Sequence, residues 1–402
     1  MTAIAHSPTH QKKDGPADVL LPTYKRAPVE FVRGAGVELF DIDGKAYLDF
    51  ASGIAVNALG YGDEGVEAAM RQAMESGLIH VSNLFPSAPG RALAAELVRR
   101  SKFAEQVFFC NSGAEANEGA FKFARRWARS IAGPEKHEII ALRGAFHGRL
   151  FATLAATDRP GYRAPFRPLA GGVSVVERDL KEIEAAMQHG TVCALIAEPV
   201  QGEGGVRVLD TMFLRGLREL TQRYNVALIF DEIQCGLGRT GAFFAYEHAG
   251  IAPDMVTIAK PLAAGLPMGA ILVNAAIART IQPGDHGTTF GGGPFVATVA
   301  LHVVERLGDA ALLARVREGG VWLGESLRGI ASRVSGVRAV RGTGFMWGID
   351  VQERAADVVA RALEAGLVII TAGEHTLRLL PPLISTQQDL ARGLSMLEDV
   401  LR

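Results

Sequence analysis

Val226-Ala227-Leu228-Ile229-Phe230 runs without a break into Asp231-Glu232, an apolar stretch that ends on two carboxylates. A strand with one wet face needs only alternate apolar residues, so a continuous apolar run of this length predicts a strand buried on both faces. Val107 to Cys110, Glu138 to Leu142, Val173 to Val176, Cys193 to Ala197, Met255 to Ala259 and Ala270 to Val273 read the same way, and helical stretches separate most of them. That alternation predicts an α/β fold, a mostly parallel sheet sandwiched by helices. Upstream, Val37 to Phe50 alternates around Asp43-Gly44, a hairpin signal. Downstream of Pro294 come a long helical stretch, strand-like Phe345 to Val351 and Leu377 to Leu380, and a closing helix from Gln388, which together read as α+β. The expected division is a mobile N-terminal arm over 1–22, the N-terminal part of a small domain over 23–60, a large ligand-binding domain over 61–293 and a C-terminal small domain over 294–402.

Composition narrows the function. With 402 residues, 48% of them apolar, the chain has core enough for two or three domains. Lys and Arg number 42 against 43 Asp and Glu, which leaves no basic surplus for a nucleic acid or an anionic membrane. Pro261 to Ala278 and His286 to Val304 carry no charge, but prolines or glycines interrupt each, so no membrane helix is expected. Met1 to Gly15 lacks the apolar core of a signal peptide. Three cysteines, Cys110, Cys193 and Cys235, with no Cys-x-x-Cys spacing argue against a disulfide framework or a thiolate metal site and fit a reducing cytoplasm. No metal is expected. The 46 glycines sit in short clusters between periodic segments, where a loop-built site would use them.

Three features carry chemistry. Asn111-Ser112-Gly113-Ala114-Glu115 follows a strand and opens a helix, so free backbone N–H groups at the helix start could cradle an anion, which Gly113 would let approach closely; a plain capping box of Ser112 with Glu115 accounts for the same residues. Asp231 ends a buried strand at the edge where open α/β sheets bind ligands, although a strand-end aspartate also caps turns. Lys260 is expected to end the next strand, after the buried run Met255 to Ala259, where desolvation would free its amine as a nucleophile, although a snorkelling or paired lysine fits too. An anion cradle, a carboxylate and a nucleophilic amine at one sheet edge are the set that pyridoxal phosphate requires.

Asp231-Glu232-Ile233-Gln234, Gly236-Leu237-Gly238-Arg239-Thr240-Gly241, Pro253-Asp254 through Lys260, Phe146-His147-Gly148-Arg149, Glu198-Pro199-Val200-Gln201-Gly202-Glu203-Gly204-Gly205, His286-Gly287-Thr288-Thr289-Phe290-Gly291-Gly292 and Leu377-Arg378-Leu379-Leu380-Pro381-Pro382 resemble the class III, ornithine-type, aminotransferases. The resemblance runs from about Thr23 to the end. It implies a fold-type I transferase with a smaller α+β domain built from the two chain ends, and a homodimer with shared active sites. It implies that Lys260 is the Schiff-base lysine and proton shuttle, that Asp231 pairs the pyridine nitrogen, that Gln234 reaches the ring hydroxyl, that Phe146 and Ile233 pack on the two ring faces, and that Gly113 and Ala114 hold the phosphate. Thr289 is expected to complete a neighbouring subunit's phosphate site. Arg149 resembles the carboxylate clamp, and Glu203 with Arg378 resembles a pair that closes for one substrate and opens for the other. Thr288, Ser82 and Asn83 are expected at the substrate, His80 to Leu84 being similar to the mouth segment of the acetylornithine branch.

The resemblance implies a ping-pong reaction of N-acetylornithine with 2-oxoglutarate, giving N-acetylglutamate 5-semialdehyde and glutamate, a step of arginine biosynthesis. Ornithine, succinylornithine and carrier-bound diamino acid aminotransferases, and glutamate-1-semialdehyde aminomutase, are alternatives. A nucleotide- or cofactor-binding regulator is the alternative outside enzymes, and it leaves Lys260 and Asp231 unexplained. Tyr61-Gly62-Asp63-Glu64 and Gly293 depart from the family pattern.

Overall fold

A computed structural model of the chain describes residues 19–402. Most of the arm expected over 1–22 therefore lies outside the described residues.

The strands are β1 (Phe31–Ala35), β2 (Glu38–Asp41), β3 (Ala46–Asp49), β4 (Gln106–Cys110), β5 (Glu138–Leu142), β6 (Val173–Val176), β7 (Val192–Ala197), β8 (Val200–Gln201), β9 (Arg207–Val208), β10 (Ala227–Asp231), β11 (Met255–Ile258), β12 (Gly269–Val273), β13 (Val337–Thr343), β14 (Met346–Val351), β15 (Leu367–Val368), β16 (Ile370–Thr371) and β17 (Thr376–Leu379). Seven of them form the central sheet in the order β4-β12-β11-β10-β7-β5-β6. β12 alone runs against its neighbours, β11 and β4; the other pairings are parallel. The apolar runs thus become strands as expected, and their two faces feed two cores. Ile140, Leu195, Leu228, Phe230 and Val256 point into one, with Leu214 and Leu217 of the helix Thr211–Arg223. Ile139, Ala194, Ile196, Ile229 and Met255 point into the other, with Ala116, Ala120 and Phe123 of the helix Gly113–Ala132. Successive side chains of a strand face opposite ways, so only an unbroken apolar run can serve both cores.

The alternating segment around Asp43-Gly44 is the β2–β3 hairpin, with Gly44 at φ +82°. β3 also pairs in parallel with β15, which joins the N-terminal sheet to the C-terminal part of the chain. A further sheet, in the order β13-β14-β17-β16, carries Arg378. Among the described residues no helix is long and apolar enough to cross a membrane. Within the stretch Tyr61 to Glu64, the Tyr61 hydroxyl donates to Asp49 Oδ2 at 2.6 Å, and Asp63 caps the helix Glu64–Glu75. Gly293 stands just before the helix Pro294–Leu307.

Candidate active site

Because β5, β7, β10 and β11 run in parallel, their carboxyl ends lie on one edge of the sheet, and the residues that follow them converge there. Phe146 and His147 come after β5, Glu198 directly after β7, Asp231 at the end of β10 and Lys260 just after β11. With Gly113, Ala114, Arg149, Glu203, Ile233, Gln234 and Arg378 they line one cavity of about 1100 Å³. Ligands of open α/β sheets bind at this edge because strand-to-helix loops and helix N-termini open onto it.

Asp231 is almost wholly buried, and its carboxylate is held from several sides. Oδ2 accepts from Asn117 Nδ2 at 2.7 Å and lies 2.7 Å from His147 Nδ1; Oδ1 accepts from the Ile233 N–H at 3.1 Å. Asn117 is in turn fixed by Thr257, whose hydroxyl donates to Oδ1 at 2.7 Å. The last of the Asp231 bonds is the strand-end cap anticipated from the sequence, so the capping and ligand-facing readings hold together. Buried polar groups survive only when paired, and this network pairs the carboxylate without closing it off from the cavity. Asn117 and Thr257 were missed in the sequence. Asn117 is a fully buried polar residue on the same helix face as Ala116, Ala120 and Ala124, and that mismatch was the available signal.

Lys260 does not end β11, which stops at Ile258; it opens a short 3-10 turn before Pro261. Burial lowers its pKa, and the Arg378 charge lowers it further, against smaller upward pulls from Glu203, Asp231 and Glu198. A desolvated lysine gives up its proton more easily, and the free amine is the nucleophilic form.

Ser112 caps the helix Gly113–Ala132 by accepting from the Glu115 N–H at 3.2 Å. The expected capping box is only half formed, because Glu115 Oε2 reaches past Ser112 to the Asn111 N–H at 2.7 Å. The first turn of the helix keeps N–H groups free for an anion. A Cβ at Gly113 would stand 2.8 Å from Ile233 Cδ1 and 2.9 Å from its Cγ2, so a larger residue there would press on Ile233.

Arg378 and Glu203 form a closed ion pair, Nη2 to Oε1 at 2.7 Å, with the arginine side chain 3% exposed. Arg378 Nη1 also donates to Gln234 Oε1 at 2.9 Å, which occupies the carbonyl of Gln234 and leaves its NH2 for a ligand. Arg149 is exposed on the cavity wall, its guanidinium 4.5 Å over the Tyr162 ring. Thr288, Thr289, Ser82 and Asn83 do not line this cavity. Asn83 Nδ2 donates to the Thr288 carbonyl at 2.9 Å, and Asn111 Nδ2 donates to the Thr288 hydroxyl at 3.0 Å. Thr289 is exposed.

The arrangement fits pyridoxal phosphate: an anion-binding helix start where a Cβ would intrude, a buried carboxylate open to the cavity, and a lysine whose amine is easily freed. Residues 21–401 match the family model described as aminotransferase class-III. The chain is 43% identical to acetylornithine aminotransferase of Methanocaldococcus jannaschii, over 94% of this chain and 95% of that one. It is 42% identical to succinylornithine transaminase of Yersinia enterocolitica, over 94% and 93%. Its fold matches N-acetylornithine aminotransferase from Stenotrophomonas maltophilia with a TM-score of 0.83 and 37% identity, over 94% of this chain and 96% of that one. The chain therefore belongs to the class III aminotransferases, pyridoxal-phosphate enzymes of fold type I.

Proposed function

We propose that the protein transfers the terminal amine of N-acetylornithine to 2-oxoglutarate, yielding N-acetylglutamate 5-semialdehyde and glutamate by a ping-pong reaction. The closed Glu203–Arg378 pair carries this reading. The carbon of an ω-amine donor that reacts bears no carboxylate, whereas that of glutamate does; one site serves both only if a cationic side chain can be neutralised for the first and released for the second. Glu203 neutralises Arg378 for the donor, and the α-carboxylate of glutamate displaces Glu203. Arg149, stacked on Tyr162, binds the remaining carboxylate through its planar fork.

Pyridoxal phosphate, when bound, supplies an aldehyde that condenses with amines and a ring that draws off the electrons of the adjacent carbon. Gly113 and Ala114 would bind its phosphate, Phe146 and Ile233 would pack against the ring, Gln234 would donate to the ring hydroxyl, and Asp231 would favour a protonated ring nitrogen. Lys260, whose amine burial makes easier to free, would carry a proton on Nζ to and from the donor carbon.

The reading includes a homodimer. Leu84, Phe85 and Phe290 are exposed large apolar residues beside Ser82, Asn83 and Thr288, and a face of this kind suits a second copy of the chain, whose cofactor Thr289 then serves. The three buried free thiols suit a reducing compartment such as the cytoplasm. N-succinylornithine is the second reading, favoured by the nearly equal identity to a succinylornithine transaminase. Initial rates with N-acetylornithine, N-succinylornithine and ornithine, each with 2-oxoglutarate, test the assignment: kcat/KM highest for the acetylated donor is expected, and highest for unacylated ornithine refutes it.

A further inference from the structure

Glu198 stands one residue beyond β7, and the register Phe230↔Ala197 sets it beside Asp231 on the ligand edge. It is 4% exposed, and neither of its oxygens is spare. Oε1 accepts from the Phe146 N–H at 2.9 Å, and Oε2 accepts from the Gly202 N–H at 3.2 Å. Phe146 lines the cavity and is followed by His147, the partner of Asp231. Gly202 is followed by Glu203, the partner of Arg378. Gly202 is also pressed against Gln234, since a Cβ there would lie 2.2 Å from Gln234 Oε1, and that oxygen accepts from Arg378. One buried carboxylate thus ties the loop that carries the ring-facing side of the site to the loop that carries the ion pair.

We propose that Glu198 is a positioning residue that couples the two halves of the site: through the Phe146 and Gly202 N–H groups it holds the His147–Asp231 contact and the Glu203–Arg378 pair in register, and protonation of its carboxyl loosens both. The coupling to donor and keto acid rests on the aminotransferase reading above. A carboxylate accepts strongly on both oxygens, whereas a carboxylic acid keeps one good acceptor, and its hydroxyl oxygen is a poor partner for a facing N–H. Burial pushes the Glu198 carboxyl up to about 7; His147 and the two N–H groups pull it back, and Asp231 adds to the rise. The other titratable groups under its influence are Lys260, from the turn after β11, and Cys235, from the loop after β10. Loss of its proton is therefore expected near neutral pH, where an enzyme of this kind could feel it.

Glu198→Gln tests the proposal, because it keeps the volume and sets an NH2 against one of the two backbone N–H groups. Two quantities are read from pH 6 to 9: the pyridoxal phosphate dissociation constant of the apoprotein, by fluorescence quenching, and the single-turnover rates of the glutamate and N-acetylornithine half-reactions. The variant is expected to bind the cofactor about tenfold more weakly above pH 7 and to change the ratio of the two half-reaction rates by a similar factor, one misdirected hydrogen bond to a charged group being worth about that much. The wild type is expected to approach the variant's values as the pH falls below 7, while the variant stays flat across the same window. Glu198→Asp, which keeps the charge but shortens the reach, is the second variant should the first fail to fold; it is expected to weaken cofactor binding while keeping a pH step. A fall in melting temperature alone, with the dissociation constant, the rate ratio and the pH step all as in the wild type, overturns the proposal. If the wild type reacts with no amine, the aminotransferase reading fails, and the cofactor-affinity comparison still decides the role of Glu198.

Discussion

Nδ1 of His147 lies 2.7 Å from Oδ2 of Asp231, with the histidine side chain wholly buried and the aspartate nearly so. The same oxygen accepts from Asn117, so two side chains from separate elements aim one carboxylate into the cavity. The other ring nitrogen of His147, Nε2, is buried with no hydrogen-bond partner among the described residues. The histidine is therefore committed to Asp231.

Replacing His147 with Ala should leave Asp231 bound by Asn117 and Ile233 but free to turn. The loss of a buried partner is expected to cost about 1 to 3 kcal/mol of stability and to weaken pyridoxal phosphate binding. Urea unfolding of the apoprotein and cofactor titration check the two effects. Unchanged values in both would show that Asn117 and the Ile233 N–H suffice to orient the carboxylate.

Arg378→Ala is expected to cripple the half-reactions of glutamate and 2-oxoglutarate and to spare that of the ω-amine donor. Glu203→Ala, which frees the buried Arg378 guanidinium for carboxylates, is expected to speed the glutamate half-reaction relative to the donor's. A hydrogen bond to a charged group is worth about 1.5 to 3 kcal/mol, so each ratio should move by roughly one to two powers of ten. Stopped-flow measurement of each half separately reads this; equal losses in both halves for both variants would reduce the pair to a structural role.

Glu232, next to Asp231, faces away from the chemistry: its oxygens accept from the Ala245 N–H at 2.6 Å and the Tyr246 N–H at 2.8 Å. Burial pushes its carboxyl up to about 8 from an ordinary 4.5. Between those values the folded state binds more protons than the unfolded state, so this residue's contribution to stability is full below about 4.5 and is lost as the pH rises towards 8. Urea midpoints from pH 5 to 8 should therefore decline less in Glu232→Gln than in the wild type. Parallel declines would mean that the proton is not held there.

Lys260→Ala should lose turnover by several orders of magnitude while still binding pyridoxal phosphate without a covalent bond, because the nucleophile and the proton carrier vanish together. Mixed with an inactive Thr289→Ala chain, it should regain activity, since one site of a heterodimer then has both residues intact. Absence of recovery despite demonstrated subunit exchange would place Thr289 in the service of its own chain.

Local pattern was enough to read the central sheet, the helix start at Gly113 and the strand-end position of Asp231. Burial on two faces, helix capping and turn chemistry each leave a mark within a few residues, and an uninterrupted run such as Ala227 to Phe230 can satisfy two cores in no other way. The family motifs extended that reading to Phe146, Arg149, Glu203 and Arg378, which line the cavity with Lys260. What the sequence left undetermined is which distant groups meet. Asn117 and Asp231 are 114 residues apart, and Glu198 binds backbone on two different loops. Strand order and register decide those meetings: Glu198 reaches its place because β7 lies beside β10 with Ala197 opposite Phe230, and Asn117 because its helix packs across β11 and β7. A hydrogen bond between such residues depends on the positions of whole elements to within a fraction of an ångström, and only the packed tertiary structure sets those positions.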